Sequence, residues 1–571
     1  MKLTHKLIIL GSTVGVAILA MIFVPMVWTE QASAVGTVFA LLPPVVAIAL
    51  ALITKEVYFS LFVGIFSGAL IYARFNFFTM IDTTVGAFTN SIGNAYNIGI
   101  LIFLVILGII VVLMNKAGGS RAYGEWAIKR IKTRKGALLS TFGLGCLIFV
   151  DDYFNCLTVG NIMRPVTDKH KISRSKLSYI IDSTAAPICI IAPISSWAAA
   201  VTGVLGEVGN TDINGFTTFL ASIPFNFYAI LTIVTVVVMT LLKIDFGPMK
   251  RHEKNAMEKG DLYTEGELPY AGVAEEYNSK GKVMDLIVPV LVLIAACIFG
   301  MLYSGGIMTG EVSFIDAFAN CDASVGLLIG SIIGLLFTIV FYLVRGVLSF
   351  KEMMTAIPEG FKAMVPAILI LCLAWTLCTI TGDYLNASAC VEPIINNPAI
   401  GKFIPAVFFL IALGIAFATG TSWGTFGMLL LFVIPSTGGL TNEMLVAVSA
   451  TMAGAVCGDH ISPISDTTIM ASAGGQCNHI NHVKTQSPYA LVVAGVSFVC
   501  YFIAGFLPYW YVMLPLSITL MVGTLLLIKV LMNKREANEE LLAVINNSTV
   551  AQDVPVETEE VVAETVDEKE E

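Results

Sequence analysis

Asp151-Asp152-Tyr153-Phe154-Asn155-Cys156-Leu157-Thr158 lies in the middle of apolar sequence. Upstream, Gly136 to Val150 carries no charge; downstream, Val159 to Met163 is apolar apart from Asn161. An aspartate at the centre of a membrane helix costs roughly 2.5–3.5 kcal/mol on insertion scales. Two in a row are kept where they line a polar cavity and have work to do there. The bland alternative is a loop that only looks buried. The flanks help to decide. Before the stretch come Lys116, Arg121, Lys129, Arg130, Lys132, Arg134 and Lys135; after it come Arg164, Lys169, Lys171, Arg174 and Lys176. Basic residues mark the cytoplasmic side of a membrane protein, so both ends of the segment lie on one side. Residues 136–163 therefore read as a re-entrant hairpin with the acids at its tip. Non-helical backbone at that depth is tolerated only where it lines a cavity or is buried in protein.

The rest of the chain agrees with a membrane setting. Of its 571 residues, 56 % are hydrophobic and 13 % charged, where a soluble protein has about 25 % charged. Windows of ~20 apolar residues recur, and the apolar runs are continuous rather than alternating, which argues for helices over a β-barrel. The fold class read from this is an all-α polytopic membrane protein. It has about 12 transmembrane helices plus two re-entrant hairpins. The net charge of −9 is local, because Asp553 to Glu571 holds nine acids and one lysine. That tail, without aromatic residues or an apolar face, reads as disordered. A basic cluster such as 116–135 would suggest nucleic acid in a soluble protein; between two membrane helices it reads as topology, and the partner is the lipid bilayer. Lys2, Lys6 and the apolar run Leu7 to Trp28 imitate a signal peptide, but the run is long for one and reads as an uncleaved first helix. The eleven cysteines show no CxxC spacing and no disulfide framework, with a bridge between Cys321 and Cys390 left open. Cys457 and His460 form a lone CxxH without the partners of a zinc site.

The expected organisation follows from charge parity. Residues 1–35 hold the first helix. A first repeat spans 36–243, with hairpin 136–163 and a broken helix over 177–203 that contains Asp182, Pro187 and Pro193. A cytoplasmic loop covers 244–282. A second repeat spans 283–507, with a hairpin over 401–436 and a broken helix over 443–472. The last helix is 508–532 and the acidic tail 533–571. Within the second repeat, 351–362 reads as a short surface helix ahead of a span over 363–381. Pro193-Ile194-Ser195 and Pro463-Ile464-Ser465 stand 270 residues apart, and the same offset carries Asp151 and Asp152 onto Thr421 and Ser422. One hairpin enters from the inside and the other from the outside, an inverted-topology repeat whose discontinuous helices mark the site.

The candidate ligands are hard oxygens. They are Asp151, Asp152, Asn155, Thr158, Asp182, Ser183, Thr184 and Ser195 in the first half. In the second they are Thr421, Ser422, Thr425, Asp459, Ser462, Ser465, Asp466 and Thr467. Asp151, Asn155 and Thr158 have the spacing to share a helix face, as do Asp459, Ser462 and Asp466. Such a set suits sodium. Buried carboxylates near one another hold protons more tightly and a bound cation loosens them, so sodium and proton would compete. Asp152, Asp182, Asp459 and His460 are the candidate proton-coupling groups. His460 reads as a hydrogen-bonding partner or relay. No catalytic residue and no cofactor is expected, sodium being the cargo. Two intramembrane aspartates could also make a protease, and a channel is a further alternative. Trp197 and Trp423 could wall an organic substrate or simply pack, and Arg164 could meet a substrate carboxylate or anchor the loop to lipid headgroups.

Val150 to Gly160 with Arg164-Pro165-Val166-Thr167-Asp168, Tyr179 to Pro187 with Pro193 to Trp197, Gly458 to Thr468, and Asn478 to Gln486 together resemble the NhaC-type sodium/proton antiporter family. Acids common in that family are replaced here by Asn478 and Asn481, which speaks against an essential role for those positions. The resemblance covers roughly residues 40–510. It implies a scaffold and a transport domain with two hairpins, often in a dimer moving as an elevator. It leaves open an organic acid or amino acid as a coupled solute, since similar carriers move such compounds.

Overall fold

The computed structural model describes residues 34–54, 56–206, 214–264, 280–310, 312–314, 317, 321–387, 389, 400–433, 441–463 and 465–552. The expected first helix over 7–27, Cys390 and the tail beyond 552 lie outside them. The described chain is helical. In order come α1 (Leu42–Thr54), α2 (Val57–Tyr72), α3 (Phe77–Gly93), α4 (Ala95–Lys116) and α5 (Gly119–Arg130). Next are α6 (Arg134–Leu147), α7 (Asp152–Lys169), α8 (Arg174–Thr184), α9 (Ala186–Cys189) and α10 (Ser196–Gly206). Then follow α11 (Gly215–Ser222), α12 (Phe227–Leu242), α13 (Pro248–Lys259), α14 (Met284–Ser304), α15 (Ala323–Val344) and α16 (Phe350–Thr379). Last are α17 (Ile404–Thr419), α18 (Ser422–Val433), α19 (Asn442–Ile461), α20 (Asp466–Gly475), α21 (His479–Ala504) and α22 (Trp510–Gln552). The chain divides into a large unit, Met1–Val522, and a small one, Gly523–Glu571, whose described part is the remainder of α22.

Seven helices among the described residues are long and apolar enough to cross a membrane, or up to nine if two bent pairs each count as one span. The protein is an all-α, multi-pass membrane protein. Part of the distance from the expected twelve is physical. The pieces of the broken helix over 177–203 are each too short to count, and 38–50 and 58–72 are apolar but short. The surface helix expected over 351–362 is instead continuous with the following span. It starts on a capping box made by Ser349 and Glu352 and bends by 44° on its way to Tyr384.

The breaks fall where polar residues and prolines interrupt the apolar runs. Helix α6 stops at Leu147 and α7 starts at Asp152. Helix α17 ends on Gly420, whose positive φ of 70° caps it, and α18 starts at Ser422; a residue without Cβ takes that conformation without strain. The span over 177–203 is divided into α8, α9 and α10, and that over 443–472 into α19 and α20. The starts of α17, α18 and α20 follow those of α6, α7 and α10 at the same spacing of 270. Helix order and break positions thus repeat along the chain.

Small residues let these pieces approach. On α19, a Cβ at Gly454 or Gly458 would collide with the Phe409 or Leu413 carbonyl of α17, a close crossing of the kind Gly-x-x-x-Gly permits. The two halves meet at a second such contact. Gly160 of α7 lies on Gly474 of α20, and Gly474 lies on the Cys156 carbonyl, with no room for a Cβ at either.

Candidate functional site

The polar interruptions expected in the first hairpin are put to use by its own backbone. Asn155 Nδ2 donates to three carbonyls, Gly145 at 2.8 Å, Ile148 at 2.9 Å and Thr184 at 3.0 Å. Those are oxygens left unpaired where α6 and α8 end. The Val150 carbonyl accepts from Ser196 N at 2.9 Å, tying the tip to the start of α10. Ser195 Oγ closes the preceding turn by donating to the Cys189 carbonyl at 2.7 Å.

Besides Asp151, three carboxylates stand at these breaks, and all four are fully or almost fully buried. Asp152, the first residue of α7, accepts from Trp197 Nε1 of α10 at 2.9 Å. Asp459, near the end of α19, accepts from Ser422 Oγ at 2.8 Å and Thr467 Oγ1 at 3.0 Å, the first turns of α18 and α20. Asp182, on α8, accepts on one oxygen from Thr468 Oγ1 at 3.1 Å, His482 Nε2 at 3.3 Å and Gln486 Nε2 at 2.5 Å. Its other oxygen is 3.9 Å from His460 Nε2, and His460 Nδ1 is 3.1 Å from the Tyr228 hydroxyl. An acid of the first half is therefore held by side chains of the second. One oxygen each of Asp182 and Asp459 is buried without a hydrogen-bond partner among the described residues. Asp152 sits at the N-terminus of α7, where the backbone dipole favours negative charge; Asp182 and Asp459 lie in the last turns of α8 and α19, and Asp459 faces the first turns of α18 and α20. Asp151, Asp152, Asp182 and Asp459 all lie close enough to Cys156 to act on it electrostatically.

The other expected site residues divide. Ser465 Oγ is 3.1 Å from Thr467 Oγ1 and so belongs to the Asp459 group. Thr421 and Thr425 form the second hairpin's tip, Thr425 Oγ1 donating to the Thr421 carbonyl at 2.8 Å. Ser183 is buried beside Asp182. Thr184 bonds back to the Ile180 carbonyl at 2.8 Å. Of Asp466, the structure describes the backbone at the start of α20. Two expectations of a shared face are corrected. Asp151 precedes α7, Asn155 turns to the carbonyls, and Thr158 Oγ1 donates to Asn115 at 3.3 Å on α4. Helix α19 ends at Ile461, and Ser462, in extended backbone, donates to the Phe417 carbonyl at 2.7 Å, so the helical period linking it to Asp459 and Asp466 is broken. His482 and Gln486 were the residues missed. Neither is among the expected ligands or proton-coupling groups, yet His482 is fully buried on Asp182. Their i, i+4 spacing on α21 was the available signal.

Toward the basic loops the acids have cationic partners. Arg174 pairs with Asp168 at 2.8 Å and donates to the Gly475 carbonyl at the end of α20 at 3.1 Å. Lys176 pairs with Asp245 at 2.7 Å. Glu253 of α13 pairs with Arg134 and accepts from Ser173 N at 2.9 Å. Burial, with help from Asp245, holds the Glu253 carboxyl above its ordinary range despite Arg134. Arg164 acts on Asp168 at this end. By contrast, no lysine or arginine bonds to Asp152, Asp182 or Asp459 among the described residues.

Residues 188–506 match the family model described as the Na+/H+ antiporter family. This chain belongs to that family. It is 38 % identical over 486 residues to an uncharacterized protein of Haemophilus influenzae, covering 82 % of this chain and 91 % of that one. It is 28 % identical over 163 residues to the malate-2H+/Na+-lactate antiporter of Bacillus subtilis, covering 28 % of this chain and 34 % of that one. Among solved structures, the Alcanivorax borkumensis YdaH transporter shares the fold with a TM-score of 0.50 and 12 % identity, over 74 % of this chain and 88 % of that one. The protein is a transporter of the antiporter class.

Proposed function

We propose that the protein exchanges sodium for protons across the cytoplasmic membrane of a bacterial cell, by competition at Asp152, Asp182 and Asp459. The observation that carries the reading is the set of buried carboxylates bonded to hydroxyls, an amide, an indole and imidazole and, among the described residues, to no lysine or arginine. A buried carboxylate without a fixed cation needs either a proton or a mobile cation. Sodium entering at Asp459 meets that carboxylate, Ser422, Thr467 and Ser465, an all-oxygen set suited to a hard cation. Displacement of a proton by sodium, and of sodium by a proton, gives antiport if the carrier changes access only with its acids neutralised. The two halves enter the bilayer in opposite senses, and both hairpins belong to a transport domain that moves against a scaffold domain in a homodimer, with both termini in the cytoplasm.

The second reading is a carrier coupling the same ions to an organic acid or amino acid, favoured by the Bacillus relative's named solutes. The helix starts that would hold an external carboxylate already hold the chain's own: Ser422 and Thr467 both donate to Asp459. Proteoliposomes with an imposed sodium gradient and an internal pH dye separate the readings. Sodium-driven proton movement with no organic solute present is the expected result. Movement only when an organic acid or amino acid is added would favour the second reading. An Asp182→Asn or Asp459→Asn protein with undiminished exchange would end the first.

A further inference from the structure

A cluster of rings links two half-sites, Asp152 with Trp197 and Asp459 with Ser422 and Thr467. Trp197 of α10 and Trp423 and Phe426 of α18 pack on one another, with centroids 5.7 Å apart for the two indoles, 5.5 Å for Trp197–Phe426 and 6.1 Å for Trp423–Phe426. All three are buried, Trp423 at 3 % exposure being the least so. The cluster joins the two acids through short links. Trp197 itself bonds to Asp152. Trp423 directly follows Ser422, which bonds to Asp459. Repeat position also distinguishes them. The offset of 270 pairs Trp197 with Thr467, so an indole N–H serves Asp152 where a small hydroxyl serves Asp459. Trp423 Nε1 is buried with no hydrogen-bond partner among the described residues. An unpaired donor in a fully packed place costs stability, so the indole is not there for its N–H bond.

We propose that this aromatic wedge is the size filter of the transporter: it fills the space between the half-sites so that only a bare inorganic cation reaches the carboxylates. The inference rests on the cation reading of the same site. Rings 5.5–6.1 Å apart touch face or edge and leave no cage between them. An aromatic cage that receives a quaternary ammonium needs its rings spread round the ligand. Trimming Trp423 to a small side chain opens such a cage, with Trp197, Phe426 and the Asp152 carboxylate as its walls. The acids are unchanged by this and no basic group is added. The enlarged site therefore gains organic cations and gains no organic anions.

The test is flux of tetramethylammonium, which has no proton to exchange and crosses lipid poorly, measured against sodium flux in proteoliposomes of the full chain. For Trp423→Ala we expect the ratio of tetramethylammonium to sodium flux to rise at least tenfold over the unaltered protein, with lactate flux staying at background. Phe426→Leu, a milder change in the same wedge, should raise the ratio less, and covers the case in which Trp423→Ala does not fold. Because the readout is a ratio, it is insensitive to the amount of active protein. An unchanged ratio in both variants, or lactate entry equal to that of tetramethylammonium, overturns the wedge while leaving sodium–proton exchange standing. Absence of that exchange in the unaltered protein instead fails the functional reading itself.

Discussion

The acids inside this protein come in two kinds. Half-buried Asp168 and Asp245 and buried Glu253, at the basic end, are paired with Arg174, Lys176 and Arg134. Asp152, Asp182 and Asp459, at the helix breaks, are bonded to an indole, hydroxyls, an amide and imidazole, with no lysine or arginine partner among the described residues. The first kind has its counter-charge built in, so its charge is spent on holding elements together: Arg174, for instance, joins the first turn of α8 to the Gly475 carbonyl at the end of α20. The second kind keeps its charge available to whatever cation arrives. A variant at the centre should therefore harm transport more than stability, and a variant at the basic end the reverse.

The strongest break of that contrast would come from the centre. Asp182→Asn and Asp459→Asn should each lower sodium-driven proton movement by about 100-fold or more, the scale of losing an interaction with a charged group of ~3 kcal/mol. Thermal unfolding in detergent should stay level or shift upward, because a neutral amide is cheaper to bury than an unpaired carboxylate. A steep loss of thermal stability with normal flux per folded molecule would make these acids structural and void the distinction.

At the other end the signs reverse. Lys176→Met keeps the stem but leaves Asp245 without its cation and removes the ammonium 5.4 Å and 5.1 Å from the Tyr179 and Tyr489 ring centres. Breaking a buried pair by removing one partner costs about 3–5 kcal/mol, and Asp245, with 24 % of its side chain exposed, brings this to roughly 3 kcal/mol or less. Unfolding should come earlier in a thermal melt, while sodium-driven flux normalised to folded protein stays within about twofold. Ser422→Ala sharpens the comparison from within the centre. It deletes one of two hydroxyls on Asp459, and a hydrogen bond to a charged group of ~1.5 kcal/mol corresponds to about a tenfold rise in the sodium concentration for half-maximal exchange. A change in maximal rate alone would place Ser422 in the moving parts and not at the ion.

Much of this arrangement was legible in the sequence because membrane physics makes polar interruption informative. Charge parity about 136–163 and the recurrence of Pro-Ile-Ser at 193 and 463 pointed to paired interruptions, and the structure breaks its helices there, starting α7 and α18 at Asp152 and Ser422, in step with that offset. What the sequence did not disclose was direction. Asn155 and Thr158 are polar residues at ligand-like spacing, yet one satisfies carbonyls at the break and the other faces Asn115, because the helix starts one residue after Asp151 and the backbone orphans compete for the amide. His482 and Gln486 were hidden for the opposite reason. They lie far along the chain, on a helix that reads as a plain span, and only the packing of α21 against α8 brings them to Asp182. Periodicity within one helix cannot show which face of another it meets.

The smallest effect is one of pH, and it tests the basic end by itself. Glu253 is buried, and its carboxyl lies above its ordinary range chiefly through burial and then through Asp245, with Arg134 pulling the other way. A carboxyl raised in the folded protein is bound to its proton more tightly there than in the unfolded chain. Its contribution to stability is therefore full below the ordinary glutamate value and is lost as pH rises through the folded value. Glu253→Gln removes that slope: melts at mildly acidic and at alkaline pH should lie closer together for the variant than for the unaltered protein. If the paired acid instead behaved as an ordinary ion pair, with its carboxyl lowered, the unaltered protein would lose stability toward acid and the variant would not. The sign of the slope thus decides whether Arg134 or burial governs this acid. At the centre, among the described residues, no lysine or arginine stands in Arg134's place, and on the proposed reading the same balance there falls to the transported ion.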